Sequence, residues 1–370
     1  MSFLDTLPTP CLVLDLPTLK RNIARMASAI ARHPGVKLRP HMKTAKNVQV
    51  AALAAPGGGA ITVSTLAEAR TFATHGFRDQ IYAVGIVPAK FAAVAALNLQ
   101  GAQVKVITDD LDVARAIAAF PGPLPTLIEV DVGEGRAGVA PDDPLLLEIA
   151  AALGPRFAGL MSHSGHSYAG RSVEAMADLA EQERVALLDA AARLRAAGIA
   201  VNILSAGASP TALYAKNLDG ITEMRAGVYM MGDLLQAQLA THPLADIAVT
   251  VLASVIGRYP VRGAVLIDAG ALALSKDRST EAAPRDWRFG RVLDREGNPT
   301  LGDAMVTRVH QEHGEVRAAE GVTLPLDRLP VGARVRVAPN HVCLTAAAHD
   351  RYHVVENGAL VAVWPRINYW

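Results

Sequence analysis

From Asp15 to about Gly232, short β-rich runs alternate with alanine-rich stretches whose apolar residues recur at helical spacing. The first helix shows the rule. Asp15 can cap it, Pro17 suits its first turn, and Leu19, Ile23, Met26 and Ile30 then give one apolar face. Eight strand-like runs follow: Val36–His41, Ala60–Ser64, Gln80–Gly85, Gln103–Thr108, Thr126–Val132, Phe157–His163, Ala200–Ser205 and Gly220–Arg225. Each leads into a helical or turn-plus-helical segment, among them Leu66–His75, Lys90–Leu99, Asp112–Ala119 and Val173–Ala197. Eight β/α units in roughly 200 residues meet the requirement of an α/β fold of the TIM type, a (β/α)8 barrel. A doubly wound open sheet competes, but no Gly-x-Gly-x-x-Gly follows the first strand.

After about His242 the texture changes. Ile247–Ile256, Ala264–Asp268, Phe289–Leu293, Ala304–Val309, Ala333–Ala338 and His353–Trp364 read as strands separated by Gly, Pro and Asp turns. The pattern therefore predicts a barrel over 15–242 and a smaller all-β domain made of 1–14 and 243–370. The strand Pro10–Leu14 could join either part. Ser275–Trp287, with Lys276, Asp277, Arg278 and Arg285, reads as a polar loop, a solvated turn before a lid.

Composition narrows the function classes. The chain has 370 residues, a net charge of +1 and 51% apolar residues, which leaves room for two domains and no electrostatic case for nucleic acid or an anionic membrane. Apolar runs are broken within a few residues, and Met1-Ser2-Phe3-Leu4-Asp5 lacks the basic start of a signal peptide. Two cysteines are too few for a disulfide framework. These features predict a cytoplasmic protein whose cysteines pack or bind metal.

Candidate chemistry collects at the C-terminal ends of the barrel strands, where such barrels place their active sites. Only eight of the 36 basic residues are lysine, and two of them, Lys43 and Lys46, fall after the first barrel strand beside Arg39 and His41. A lysine among other cations is disfavoured in its charged form and can form a Schiff base. The fifth strand runs into Asp131 to Gly138, which includes Arg136, and the sixth into His163 to Tyr168. The seventh ends in Ser205 to Thr211 and the eighth in Glu223 to Tyr229, with small residues and backbone N–H groups suited to a phosphate monoester. A Schiff-base lysine facing a phosphate site implies pyridoxal 5′-phosphate (PLP).

Thr9 to Asp15, Arg39-Pro40-His41-Met42-Lys43-Thr44 and Gly159-Leu160-Met161-Ser162-His163 resemble PLP enzymes of the alanine-racemase fold. Gln311-Glu312-His313-Gly314 and Pro339-Asn340-His341-Val342-Cys343 resemble the eukaryotic-type D-serine dehydratases, D-threo-3-hydroxyaspartate dehydratases and D-threonine aldolases. The resemblance implies that Lys43 carries the cofactor, His163 packs on its ring and Arg136 lies near the phenolic oxygen. It implies Gly207, Ser209, Gly227 and Val228 around the phosphate and Tyr168 by the ring or substrate. Arg225 is a candidate for the ring nitrogen, and Ala208 stands where a hydroxyl residue is usual. It also implies a homodimer.

Read as part of a strand, His341 and Cys343 point to one face, and an imidazole with a thiolate suits zinc. Two ligands leave the shell open to water, substrate or a third side chain such as Glu312 or His313. The expected reaction is dehydration of a 3-hydroxy-D-amino acid, of the D-serine or D-threo-3-hydroxyaspartate type, to a 2-oxo acid and ammonia. A D-threonine aldolase is the main rival and would use a harder metal such as manganese or magnesium. A racemase would need a second base such as Tyr259, Tyr352 or Tyr369, and a non-enzymatic PLP carrier would have no use for His341 and Cys343.

Overall fold

The computed structural model describes residues 3–370. The chain divides into two compact units, one of 23–227 with 367–370, the other of the residues up to 22 with 228–366. After β1 (Cys11–Asp15) and α1 (Leu16–Ile30), eight strands follow: β2 (Lys37–Pro40), β3 (Ile61–Val63), β4 (Asp79–Gly85), β5 (Gln103–Thr108), β6 (Thr126–Val130), β7 (Phe157–Ser162), β8 (Ile203–Ala206) and β9 (Glu223–Ala226). Between them run α2 (Val48–Ala54), α3 (Leu66–Thr74), α4 (Phe91–Leu99), α5 (Leu111–Ala119), α6 (Leu145–Leu153), α7 (Val173–Ala196) and α8 (Ser209–Tyr214). The strands are parallel in the order β2-β9-β8-β7-β6-β5-β4-β3, and a bridge from His41 to Thr62 joins the two ends into a closed barrel. Every one of the eight expected runs overlaps one of these strands, and β4, β8 and β9 each extend one residue beyond the expected run.

Local chemistry explains where the helices begin. The Thr18 N–H donates to Asp15 Oδ1 at 2.9 Å, as the sequence predicts. Asn47, Thr65, Asp110 and Ser172 cap α2, α3, α5 and α7 through side-chain oxygens. Each such cap contributes about 1 kcal/mol by satisfying a backbone donor the helix leaves open. Among the described residues no helix is long and apolar enough to cross a membrane.

The second unit is built on a nine-stranded sheet: β10 (Val249–Tyr259), β11 (Ala264–Ile267), β12 (Arg291–Leu293), β13 (Met305–Val309), β14 (Gly314–Arg317), β15 (Arg334–Ala338), β16 (Arg351–Glu356) and β17 (Ala359–Pro365) join β1 in the order β11-β14-β13-β12-β15-β10-β1-β16-β17. β1 lies between β10 and β16, which answers where the first strand belongs. β10 also pairs β11, so six of the strands close on themselves. Three short helices complete it: α9 (Leu234–Gln238), α10 (Ala271–Leu274) and α11 (Val342–Ala347).

Three sequence readings change here. His353–Trp364 is a hairpin, because Asn357 and Gly358 take φ of 52° and 75° and reverse the chain. β14 is an additional strand, so Gln311 to His313 form the tight connection between β13 and β14. His341 and Cys343 are not on a strand: β15 stops at Ala338, His341 is the N-cap of α11, and Cys343 lies in its first turn.

Candidate active site

β2 ends at Pro40, and the chain turns through His41 to Ala45 at the C-terminal rim of the barrel. The turn is pinned by its backbone: the His41 N–H donates to Ala226 O at 2.7 Å and the Met42 N–H to Thr62 O at 2.8 Å. Both rim lysines sit here with opposite fates. Lys46 Nζ meets Glu68 Oε1 of α3 at 2.9 Å, with the carboxylate wholly buried. Lys43 is exposed, and among the described residues its ammonium has no ion pair. Arg39, which the sequence places among the local cations, turns into the barrel to pair with Glu223 at 2.8 Å and Asp79 at 3.0 Å. The cations that Lys43 shares its surroundings with are instead Arg225 and Arg136, brought from other strands.

His163 follows β7 directly, and its Nδ1 lies 3.3 Å from Gly207 O. Burial, reinforced by the charges of Lys43, Arg225 and Arg136, lowers its pKa from 6.5 to about 3. His41 is pushed well below its ordinary value by burial first, then by Lys43, Arg225 and His163. Both imidazoles are therefore neutral around pH 7. The mutual electrostatics place Lys43, His163, Arg225 and Arg136 in one site.

Arg225 on β9 is buried and committed to two serines: Nη1 donates to Ser205 O at 2.6 Å and Ser205 Oγ at 2.9 Å, and Nη2 donates to Ser162 O. Its fork thereby ties together the ends of β7 and β8. Arg136 is half exposed, 3.6 Å from both Glu129 and Glu134. Its loop is shaped by Asp131 Oδ1, which accepts the Gly133 and Gly135 N–H groups at 2.9 and 3.1 Å. Tyr168 is half-buried on the turn Gly165–Ala169, and its carbonyl accepts from Arg171.

The loop after β8 is built differently from the sequence reading. The Gly207 N–H donates to Glu183 Oε1 at 2.9 Å and the Ala208 N–H to Thr211 Oγ1 at 3.0 Å, so both amides are used inside the protein. Ser209 Oγ is buried and has no hydrogen-bond partner among the described residues. Gly207 has φ of +119°, and a Cβ there would stand 2.6 Å from Arg225 O, so only glycine fits. A Cβ on Gly227 would stand 2.8 Å from His41 O, which keeps the β2 and β9 ends in contact. Val228 follows in the chain at the start of the second unit.

Within that unit, His341 and Cys343 converge by a helix start instead of a strand. Asp233 caps α9 through Oδ1 on the Gln236 N–H at 2.8 Å, and its Oδ2 accepts the Val342 N–H at 3.1 Å. Burial raises Asp233 to about 6. Burial disfavours the charged form of His341, but the hydrogen bond and charge of Cys343, with Asp233 and Asp277, raise it to about 9. Asp277 Oδ1 lies 4.0 Å from His341 Nδ1. Glu312 and His313 stand in the β13–β14 connection, and no cluster of three or more metal-binding side chains forms among the described residues. The segment 275–287 is fastened down, with Arg278 on Asp286 at 2.7 Å, Thr280 on Asn340 at 3.0 Å and Arg285 on Asp303 at 2.9 Å.

Sequence reasoning missed Glu183 and Asp233, and took Asp277 only as part of a polar loop. Glu183 was detectable as a carboxylate in the apolar stripe of α7, and Asp233 as the cap of an Asp-x-x-Gln box. Asp277 gives no local signal, because His341 reaches it only through the fold.

Residues 14–234 match the family model "Alanine racemase, N-terminal domain", and residues 248–355 match "Putative serine dehydratase domain". The chain is 41% identical to the D-threo-3-hydroxyaspartate dehydratase of Delftia sp. (strain HT23), over 99% of this chain and 98% of that one. It is 32% identical to a D-threonine aldolase of Arthrobacter sp, over 96% and 91%. A solved metal-free cysteine-to-alanine variant of D-threo-3-hydroxyaspartate dehydratase shares 40% identity over 99% of both chains, with a TM-score of 0.95.

Proposed function

The chain belongs to the family that joins the alanine racemase N-terminal domain to a serine dehydratase domain, and we propose on that footing that it is a PLP-dependent lyase removing water from a 3-hydroxy-D-amino acid. D-threo-3-hydroxyaspartate is the first candidate substrate, favoured by the Delftia relative, and D-serine the second. The products are a 2-oxo acid and ammonia.

The observation that carries this reading is the separation of the two rim lysines: Lys46 is held by Glu68, whereas Lys43 has no ion pair among the described residues and shares its surroundings with neutral His163. The residues fit the cofactor. A neutral imidazole can lie against an aromatic ring without adding positive charge, and the Ser209 hydroxyl, without a partner among the described residues, suits a phosphate oxygen. When bound, PLP supplies the electron sink that makes a substrate Cα–H acidic. Lys43 Nζ then takes that proton from its own side, which selects one hand at Cα. Arg225, spent on the Ser162 and Ser205 carbonyls, stiffens the strand ends that carry His163 and Gly207.

Once the proton that its anionic neighbours favour is displaced, His341 with Cys343 as thiolate would hold a divalent metal, and an N and S donor pair favours zinc over manganese or magnesium. A bound metal supplies Lewis acidity. The aldolase reading is kept because of the Arthrobacter relative. Incubation with D-threo-3-hydroxyaspartate, D-serine and D-threonine separates the two: 2-oxo acid and ammonia are expected, and glycine with an aldehyde as main products overturns the dehydratase.

A further inference from the structure

Helix α7 carries a carboxylate where its own periodicity demands an apolar side chain. Met176, Ala180, Leu187, Ala190 and Leu194 bury one face of the helix, and Glu183 falls on that face with 1% of its surface exposed. Burying a carboxylate is costly unless donors surround it. Glu183 has three. Oε1 accepts from Ser162 Oγ at 2.8 Å and from the Gly207 N–H at 2.9 Å, and Oε2 accepts from Thr211 Oγ1 at 3.1 Å.

All three donors belong to the rim of the candidate site. Ser162 is the last residue of β7, directly before His163. Gly207 faces His163 from the other side through its carbonyl, 3.3 Å from Nδ1. Thr211 receives the Ala208 N–H at 3.0 Å and so folds the loop that presents Ser209. A single carboxylate thus fixes the imidazole and the hydroxyl-bearing loop relative to each other.

We infer that Glu183 is a positioning residue, setting His163 and Ser209 for the ring and the phosphate of the cofactor and acting through Ser162, Gly207 and Thr211. This rests on the PLP reading above. Hydrogen bonding is the means: an amide oxygen could still serve Gly207 and Ser162, whereas a hydrocarbon could serve neither.

The test uses the full chain and its Glu183→Gln, Glu183→Leu and Thr211→Val variants. Affinity for PLP is compared with affinity for pyridoxal, which lacks the phosphate, by absorbance of the lysine imine. Exchange of the Gly207 amide is followed in the cofactor-free chain. Glu183→Leu should lower the PLP-to-pyridoxal ratio about tenfold, the worth of one lost hydrogen bond, and speed Gly207 exchange. Glu183→Gln should stay within about threefold of the parent on the same scale. Thr211→Val, nearly isosteric, cuts only the loop arm and should also lower the ratio. A Leu or Val variant that keeps the ratio overturns the inference, as does a Gln variant that falls as far as Leu. Absence of a borohydride-fixed adduct on Lys43 in the parent chain defeats the PLP reading instead, and Gly207 exchange then decides whether Glu183 holds the loop.

Discussion

Exchanging each rim lysine for methionine should separate structural from chemical roles three residues apart. Lys46 Nζ lies 2.9 Å from Glu68 Oε1, with 19% of the lysine side chain exposed and none of the glutamate. Removing one partner of a buried pair costs about 3–5 kcal/mol, because the other charge stays buried and unmatched. Glu68 keeps the Ser64 N–H at 3.1 Å and the Thr65 hydroxyl at 3.3 Å. That residual support places Lys46→Met at the low end, about 3 kcal/mol. Lys43 is exposed and has no ion pair among the described residues, so Lys43→Met should change stability by no more than about 0.5 kcal/mol. Urea unfolding of the cofactor-free variants measures this, since bound cofactor would add its own mass-action term. Borohydride reduction with peptide mass spectrometry measures the chemistry: the adduct should persist on Lys43 in Lys46→Met and vanish in Lys43→Met. An adduct on Lys46, or equal stability losses in the two variants, would refute the reasoning.

Two further outcomes follow from the site. A chelator should abolish 2-oxo acid formation while leaving the PLP absorbance in place, with zinc restoring the rate; full turnover by metal-free protein removes the role given to His341 and Cys343. His163 has a folded pKa of about 3 against an ordinary 6.5, so between those values the unfolded chain binds a proton that the folded chain refuses. Stability is then fully present above 6.5 and is lost as pH falls toward 3, and His163→Phe should reduce that slope by up to about 1.4 kcal/mol per pH unit. Urea midpoints compared across this range check it, and an unchanged slope contradicts the half-buried neutral imidazole.

The barrel was legible because its signals are local. A strand buried on both faces is a short apolar run, and the helix that follows announces itself by its cap and its apolar stripe, as at Asp15, Thr65 and Ser172. The β unit was legible only in part. β14 is four residues long and starts at a glycine, too short for alternation to stand out. The Asn357-Gly358 pair is a hairpin signal between Val354-Val355 and Ala359 to Trp364, two apolar runs close enough to read as one strand.

Residue types at the candidate site were also fixed by the chain, but their states were not. Which lysine stays unpaired depends on Glu68 from a different helix. Whether His341 and Cys343 meet depends on Asp233, which receives the first amide of α11 from far along the chain. The direction of the Gly207 and Ala208 amides depends on Glu183 and Thr211. Periodicity records which face of an element is buried, since burial repeats along that element. Pairing between buried charges, and the donors a carboxylate collects, are set where separate elements meet, and only the folded chain brings those together.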